Sequence, residues 1–320
     1  SIEKIVPNKI DHCLASVILS PINWRQLVIP KNLISVADLT IEEVQHILDT
    51  ASNLKVSATS SELKGKNVAL IFEKPSLRTK VSFSVAIEEL GGHYVYLNGE
   101  EVGLGTREPA GDVARVLSNW VDLIVARVFS HSNLLSLAKY SSVPIINALS
   151  DIEHPCQAIA DMMTILEKKK QFKGLTLAFI GDGNNVASSL SLASASVGVN
   201  FVIACPDGYM IPKSIWDEGL RRASKTGSKL WRTKSPEDAV NGADVVYTDV
   251  WVSMGQADET INRLKDFKGY QVNERLMNLA DPDAIFMHDM PAHRGEEISE
   301  NMLEDPRAVV FDQANNRLHA

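Results

Sequence analysis

The chain predicts an α/β fold made of two parallel-sheet domains. Three observations carry this. Short apolar runs that read as buried strands alternate with segments of helical spacing from about residue 36 onward. Strand, helix and strand follow one another throughout, which yields a parallel sheet with helices on its faces. The pattern restarts near Leu175, and 320 residues are enough for two cores.

Residues 1–31 show no clear period and read as an extension of unknown role. Thr40, followed three residues later by Glu43, predicts a capping box opening a helix to Leu54. Asn67 to Phe72 reads as a buried strand, and Val81, Val85, Ala86 and Leu90 as a helix that Gly91-Gly92 ends. A strand at Tyr94 to Leu97 completes a βαβ unit. Asn98 to Ala110 reads as a Gly-rich loop, Asp112 to Trp120 as a helix, and Leu123 to Ala126 as a strand ending at Arg127. A short helix and a strand at Val143 to Asn147 lead to His154-Pro155-Cys156-Gln157 and a helix over Ala158 to Glu167.

The second set comprises strand Leu175 to Ile180, the turn Gly181-Asp182-Gly183-Asn184-Asn185, helix Val186 to Val197 and strand Phe201 to Ala204. Strands at Val245 to Tyr247 and Ala284 to Met287 follow, each running into a polar segment. The predicted division is 32–165 and 166–320, with candidate sites at the C-terminal ends of the strands.

Composition narrows the function. A net charge of −8 argues against a nucleic-acid or anionic-membrane surface as main partner. Cys13, Cys156 and Cys205 are too few and too scattered for a disulfide framework or a zinc site, which suggests a reducing compartment. No apolar run reaches the ~20 residues needed to cross a bilayer. The first 31 residues lack the pattern of a signal peptide and are poor in Arg for a transit peptide. A cytoplasmic protein is expected, with a mitochondrial matrix or plastid location also compatible.

The stretch with the densest chemistry is Pro75-Ser76-Leu77-Arg78-Thr79, where a strand hands over to a helix. Such a junction offers unpaired backbone amides and a positive dipole end. Two hydroxyls and a guanidinium, whose planar fork fits phosphate oxygens, add donors at the same place. The alternative for these residues alone is a helix-capping Ser with a surface Arg. The Gly181 turn is close to a Gly-x-Gly-x-x-Gly dinucleotide motif, with Asp207 after the next strand as a ribose acid. Val186 in the third glycine position weighs against that nicotinamide-oxidoreductase reading. His288, His293, Glu296 and Glu297 lack the spacing of a zinc motif, and a solvated acidic face is the simpler expectation.

Pro-Ser-x-Arg-Thr resembles the carbamoyl-phosphate loop of the aspartate and ornithine carbamoyltransferases, and further ordered segments resemble that family too. They are His154-Pro155-Cys156-Gln157, Gly181-Asp182…Asn185, Asp249-x-x-x-Ser253-Met254-Gly255, His288-Asp289-Met290-Pro291 and Asn315-Asn316-Arg317. The Asp249 segment is similar to the ornithine branch in particular. The resemblance covers about residues 32–320. It implies that Ser76, Leu77, Arg78 and Thr79 hold the phosphate of carbamoyl phosphate. It implies that Arg127, His154 and Gln157 hold its carbamoyl group, Arg127 and His154 at the oxygen charged during attack and Gln157 at its amide, and that Arg317 touches carbamoyl phosphate. Asn185, Asp249, Ser253 and Met254 are implied to bind L-ornithine, and the products to be L-citrulline and phosphate. It further implies a homotrimer with sites at subunit interfaces, and no metal or other cofactor.

Three departures stand out. Asp289 replaces a usual Cys, Gly103 sits where a Gln or His often reaches the neighbouring site, and the chain stops three residues after Arg317, where the family continues into another helix. The first invites a specific expectation: an ionised Asp289 beside the δ-amine would hold it as ammonium and move the acid limb of the rate profile to higher pH. A general-base role for Asp289 is the alternative. A non-catalytic relative that binds carbamoyl phosphate, and a carbamoyltransferase for another amine, are the other readings.

Overall fold

The computed structural model describes residues 32–56, 60–253 and 257–320. The expected extension at 1–31 therefore lies outside the described residues, as does Met254. Helix α1 (Ile41–Val56) opens with the expected box: Glu43 N donates to Thr40 Oγ1 at 3.1 Å and Thr40 N to Glu43 Oε2 at 2.7 Å. There follow β1 (Asn67–Phe72), α2 (Leu77–Glu89), β2 (His93–Asn98), α3 (Gly99–Val102), α4 (Ala110–Leu117), β3 (Leu123–Arg127), α5 (His131–Tyr140) and β4 (Ile145–Leu149). The four strands are parallel, in the order β2-β1-β3-β4.

Helix α6 (Pro155–Lys169) leads to the second sheet, and Pro155 at its start suits a position whose amide needs no partner. Then come β5 (Thr176–Ile180), α7 (Asn185–Val197), β6 (Asn200–Ala204), α8 (Lys213–Thr226), β7 (Leu230–Thr233), α9 (Pro236–Val240), β8 (Val245–Thr248), α10 (Thr260–Asp266), α11 (Glu274–Met277), β9 (Ile285–His288) and α12 (Val310–His319). The second sheet is also parallel, ordered β7-β6-β5-β8-β9.

Both sheets reverse their winding direction once, between β1 and β3 and between β5 and β8. In open α/β sheets the crevice at such a reversal is where ligands bind. The Ser76 loop follows β1, Arg127 ends β3, the Gly181 turn follows β5, and Asp249 follows β8. Strand order thus brings the segments singled out in the sequence to the two reversal points.

The core follows the alternation. In β1, Val68 to Phe72 are buried, as a strand covered on both faces requires. Helix α7 is rich in Ser and Ala, buried from Val186 to Ser196, and packs between α6 and α8. Helix α12 returns from the second sheet to lie against α6, α2 and α1. Lys55 Nζ, on α1, reaches Glu167 Oε1 and Asn316 Oδ1, both at 2.8 Å.

The structure adds elements between Ala204 and Val245, where the sequence reading placed none. Helix α8 buries only Ile215, Trp216, Gly219, Arg222 and Ala223 in a charge-rich stretch, and β7 is a four-residue edge strand with only Leu230 buried. Neither presents a continuous apolar run. The loop expected from Asn98 likewise holds a short helix, capped by the Asn98 side chain and closed by Gly103 in the left-handed region at φ 58°. That conformation is a reason for glycine at this departure from the family pattern.

At Gly183 the chain tolerates no side chain. Its amide donates to Tyr209 O at 2.8 Å, and an added Cβ would lie 2.3 Å from Ile211 N. The backbone of 209–211 therefore covers the turn that a dinucleotide pyrophosphate would need, which removes the nicotinamide reading. Overpacking costs about 1–3 kcal/mol, so Gly183→Ala is expected to lower the urea midpoint of unfolding. An unchanged midpoint would show that the 209–211 segment yields freely.

Candidate active site

Ser76 caps α2: its side chain accepts from Thr79 N at 3.2 Å. The amides of Leu77 and Arg78 stand at the positive end of the same helix. Leu77 itself is 73 % exposed, so its contribution to an anion is backbone rather than side chain. The capping and anion-binding readings of Ser76 are compatible, because the cap leaves the hydroxyl proton free.

Around this helix start three guanidiniums converge. Thr79 Oγ1 accepts from Arg127 Nη1 and from Arg317 Nη2, each at 3.3 Å. Arg78, half-buried, lines the same cleft. Arg127 and Arg317 are each only 6 % exposed, and among the described residues none of the three forms an ion pair. Burial, then Arg317, pulls the Arg127 guanidinium down to about 10. Lys74, 7 % exposed, lines the cleft too, and burial followed by Arg127 lowers its pKa. Buried cations without carboxylate partners are costly unless an anion joins them.

His154 lies beside this cluster, 4 % exposed. Burial first, then Arg317 and Arg127, push its pKa well below the usual imidazole range, so the ring is neutral. Its amide donates to Ser189 Oγ at 2.9 Å, and Ser189 Oγ donates to Glu153 Oε2 at 2.9 Å. Gln157, one turn on in α6, donates from Nε2 to Asp161 Oδ1 at 2.8 Å. That orients its amide and leaves its carbonyl oxygen toward a ligand N–H.

From the second domain come Asn185, Asp249 and Ser253, all lining the cleft, whose volume is about 470 Å³. Asn185 Nδ2 donates to Ser150 O at 2.6 Å, which ties the start of α7 to the end of β4. Asp249 Oδ2 accepts from Asn184 Nδ2 at 2.7 Å, and its Oδ1 from Val250 N at 2.7 Å. The cleft thus has a cationic wall, from Lys74, Arg78 and Arg127 of the first domain with Arg317 of α12, and a carboxylate wall from the second domain.

Without substrate, the surroundings of Asp289 do not favour the ionised form that the sequence reading expects. Its side chain is 13 % exposed. Burial, then Asp249, then Asp161, raise its pKa well above the carboxylate range, and Arg78 only partly opposes this. The solvated acidic face expected near His288 holds for His293 and Glu296, whose side chains reach solvent, but not for His288 and Glu297. His288 and Glu297 are wholly buried, with Nε2 and Oε1 3.1 Å apart. Met290 N donates to His288 Nδ1 at 2.9 Å, so the ring proton sits on Nε2 and faces Glu297. Both ring nitrogens are thereby occupied, which holds the 288–291 segment rather than a metal.

Sequence reading missed Lys74, Asn184 and Asp161. Lys74 directly precedes the Pro75 stretch and Asn184 lies inside the Gly181 turn, neither with an assigned role. Asp161 follows Gln157 by four residues in a helix, a spacing that places the two side chains side by side. Its carboxyl, raised to about 6 by burial, also accepts from Tyr247 Oη at 3.0 Å and Gln313 Nε2 at 2.7 Å.

Fold and site define a two-domain α/β protein whose cleft presents guanidiniums on one side and carboxyls on the other. The family description "Aspartate/ornithine carbamoyltransferase, carbamoyl-P binding domain" matches residues 31–167, and its "Asp/Orn binding domain" matches 173–320. The chain belongs to the aspartate/ornithine carbamoyltransferase family. It is similar to the ornithine carbamoyltransferase of Thermococcus kodakarensis, 49 % identical over 91 % of this chain and 93 % of that one. The solved ornithine carbamoyltransferase of Pyrococcus furiosus superposes with a TM-score of 0.87 at 47 % identity, covering 90 % of this chain and 94 % of that one. The anabolic ornithine carbamoyltransferase of Campylobacter jejuni gives a TM-score of 0.86 at 38 % identity, covering 91 % and 96 %.

A neutral His154 has a direct signature. Its ring-proton NMR shifts are expected to stay constant between about pH 6 and 8, the range in which an ordinary His titrates. A midpoint within that range would mean that Arg127 and Arg317 do not act on the ring as their positions require.

Proposed function

We propose that the chain transfers the carbamoyl group of carbamoyl phosphate to the δ-amine of L-ornithine, giving L-citrulline and phosphate. One observation carries the reading: Arg78, Arg127 and Arg317 converge without ion-pair partners on a helix start, opposite Asp249. Ser76, Thr79, the amides of Leu77 and Arg78, and the guanidinium of Arg78 hold the phosphate. Arg127, Arg317 and neutral His154 donate toward the carbonyl oxygen, and the Gln157 carbonyl accepts from the carbamoyl amide. Asp249, steadied by Asn184, takes the α-ammonium of ornithine. Asn185, Ser253 and Met254 complete the amino-acid site.

In the reaction the lone pair of the δ-nitrogen forms a bond to the carbonyl carbon. Negative charge grows on the carbonyl oxygen, where the fixed donors stabilise it. The carbon–oxygen bond to phosphate then breaks, phosphate leaves with the electron pair, and the nitrogen passes its proton to the departing phosphate. Orientation of the two substrates across the cleft supplies the rest of the acceleration. Formation of citrulline by the purified protein tests the reading, and separates it from a non-catalytic relative or transfer to another amine.

A homotrimer belongs to the same proposal. Leu77 at the cleft and nearby Phe129, packed on Lys74, are 73 % and 49 % exposed, apolar surface that a second copy would cover. Light scattering is expected to give three chain masses. A monomer mass at full activity would overturn it.

Arg78→Ala should weaken carbamoyl-phosphate binding at least ten- to hundredfold, since a charge-assisted hydrogen bond is worth about 1.5–3 kcal/mol. Calorimetry showing equal affinity would remove Arg78 from the site. Asp249→Asn should raise the KM for ornithine far more than that for carbamoyl phosphate. Equal effects on both would make Asp249 structural.

A further inference from the structure

Asp289 is the residue whose surroundings the family resemblance leaves unexplained. Ligand-side atoms of Asp249, His288 and Asp289 all lie within 4.8 Å of one another. Two acidic side chains that close are unfavourable when both are ionised, and one proton between them relieves this. Asp249 already accepts from Asn184 and from Val250 N. Asp289 has no backbone or amide donor of that kind: its Oδ1 is buried without a hydrogen-bond partner, His288 Nδ1, 3.7 Å away, is occupied by Met290 N, and its side-chain hydrogen bond is to Asp249 itself.

We propose that Asp249 and Asp289 share one proton before substrate binds, and that the ammonium group of the amino-acid substrate displaces it. This deepens the reading of Asp249 as the ammonium partner and rests on it. An ammonium is a cation equivalent in charge to the proton it replaces. Once it neutralises Asp249, the repulsion that kept Asp289 protonated falls. The proton leaves the Asp289 carboxyl for solvent, and its electron pair stays on the carboxylate oxygen. Binding of the amine is therefore coupled to proton release, and affinity rises with pH through the range in which the pair loses its proton.

The neighbours set the direction. Asp161 on α6 adds negative charge that favours the proton, while Arg78 on α2 opposes it. Arg127 on β3 and Arg317 on α12 sit farther round the same wall, against the Thr79 hydroxyl. Tyr247 on β8 is held neutral, its pKa pushed well up by burial and by Asp161 and Asp289. His154 on α6 is neutral, His288 on β9 faces Glu297, and His293 lies at the exposed rim near Glu296. Burial of Asp289 and the Asp249 charge agree with a proton held there.

The test uses L-norvaline, which is ornithine without the δ-amine, so that its only ammonium is the one assigned to Asp249. Titration calorimetry at about pH 7 in two buffers of different ionisation enthalpy counts protons released per analogue bound. A fixed concentration of inorganic phosphate is present in both. The full-length protein should release up to about one proton, and Asp289→Asn and Asp289→Cys none, because neither carries a second carboxyl. No release from the unaltered protein overturns the proposal. Equal release from the variants overturns it too, by placing the proton elsewhere. A protein that makes citrulline but does not bind norvaline overturns it through Asp249. A protein that makes no citrulline fails instead at the function on which the proposal rests.

Discussion

The organising constraint is positive charge taken out of water with no ion-pair partner among the described residues. Arg127 and Arg317 are buried beside Arg78, and their mutual repulsion is expressed in the lowered Arg127 value. Such a cluster raises the free energy of the unliganded protein, so the surrounding fold must hold it in place. It does so with neutral groups. The Thr79 hydroxyl accepts from two of the arginines, Ser76 caps the helix that carries the third, and His154 is kept neutral rather than adding a fourth cation. A dianionic ligand relieves the repulsion, which makes the ligand part of the electrostatic balance of the site.

Holding such a cluster needs a rigid frame, and the frame spans both sheets. Asp161 is its hub: it receives Gln157 from its own helix, Tyr247 from β8 and Gln313 from α12. Gln313 also accepts from His288 N, which connects β9. Glu153 ties the His154 segment to Val36 N and to Ser189 on α7. Buried polar groups of this kind are favourable only when satisfied together. The same bonds that satisfy them set the relative positions of the cationic wall, the carbamoyl groups and the carboxylate wall. Position, rather than an unusual chemical group, is what this cleft supplies to a transfer reaction.

The two walls differ in how they treat charge. Lys74, Arg78 and Arg127 of the first domain, joined by Arg317 of α12, face the cleft. Asp249 and Asp289 stand together on the other side. In the proposed reaction each wall meets a ligand of opposite charge, a phosphate on one and an ammonium on the other.

Much of the fold was legible in the sequence because buried parallel strands are continuous apolar runs and their helices end in glycine or lysine. Strands β1, β3, β5 and β8 lie where Asn67, Leu123, Leu175 and Val245 begin such runs. Helix α8 and strand β7 were not legible, since a charged helix with one buried stripe and a short edge strand show little contrast with a loop. The grouping of Ser76, Arg78 and Thr79 was legible as well, because they lie within one helical turn at the start of α2 and local geometry alone brings them together. What the sequence could not decide was the company that each group keeps. Asp289 read as a free carboxylate, because a separation of 40 positions from Asp249 hides their adjacency across neighbouring strands β8 and β9. His288 and Glu297 read as a wet acidic surface, because burial is a property of what packs on top. Protonation depends on solvent exclusion and on charges brought near by other parts of the chain, so only the tertiary structure could assign it.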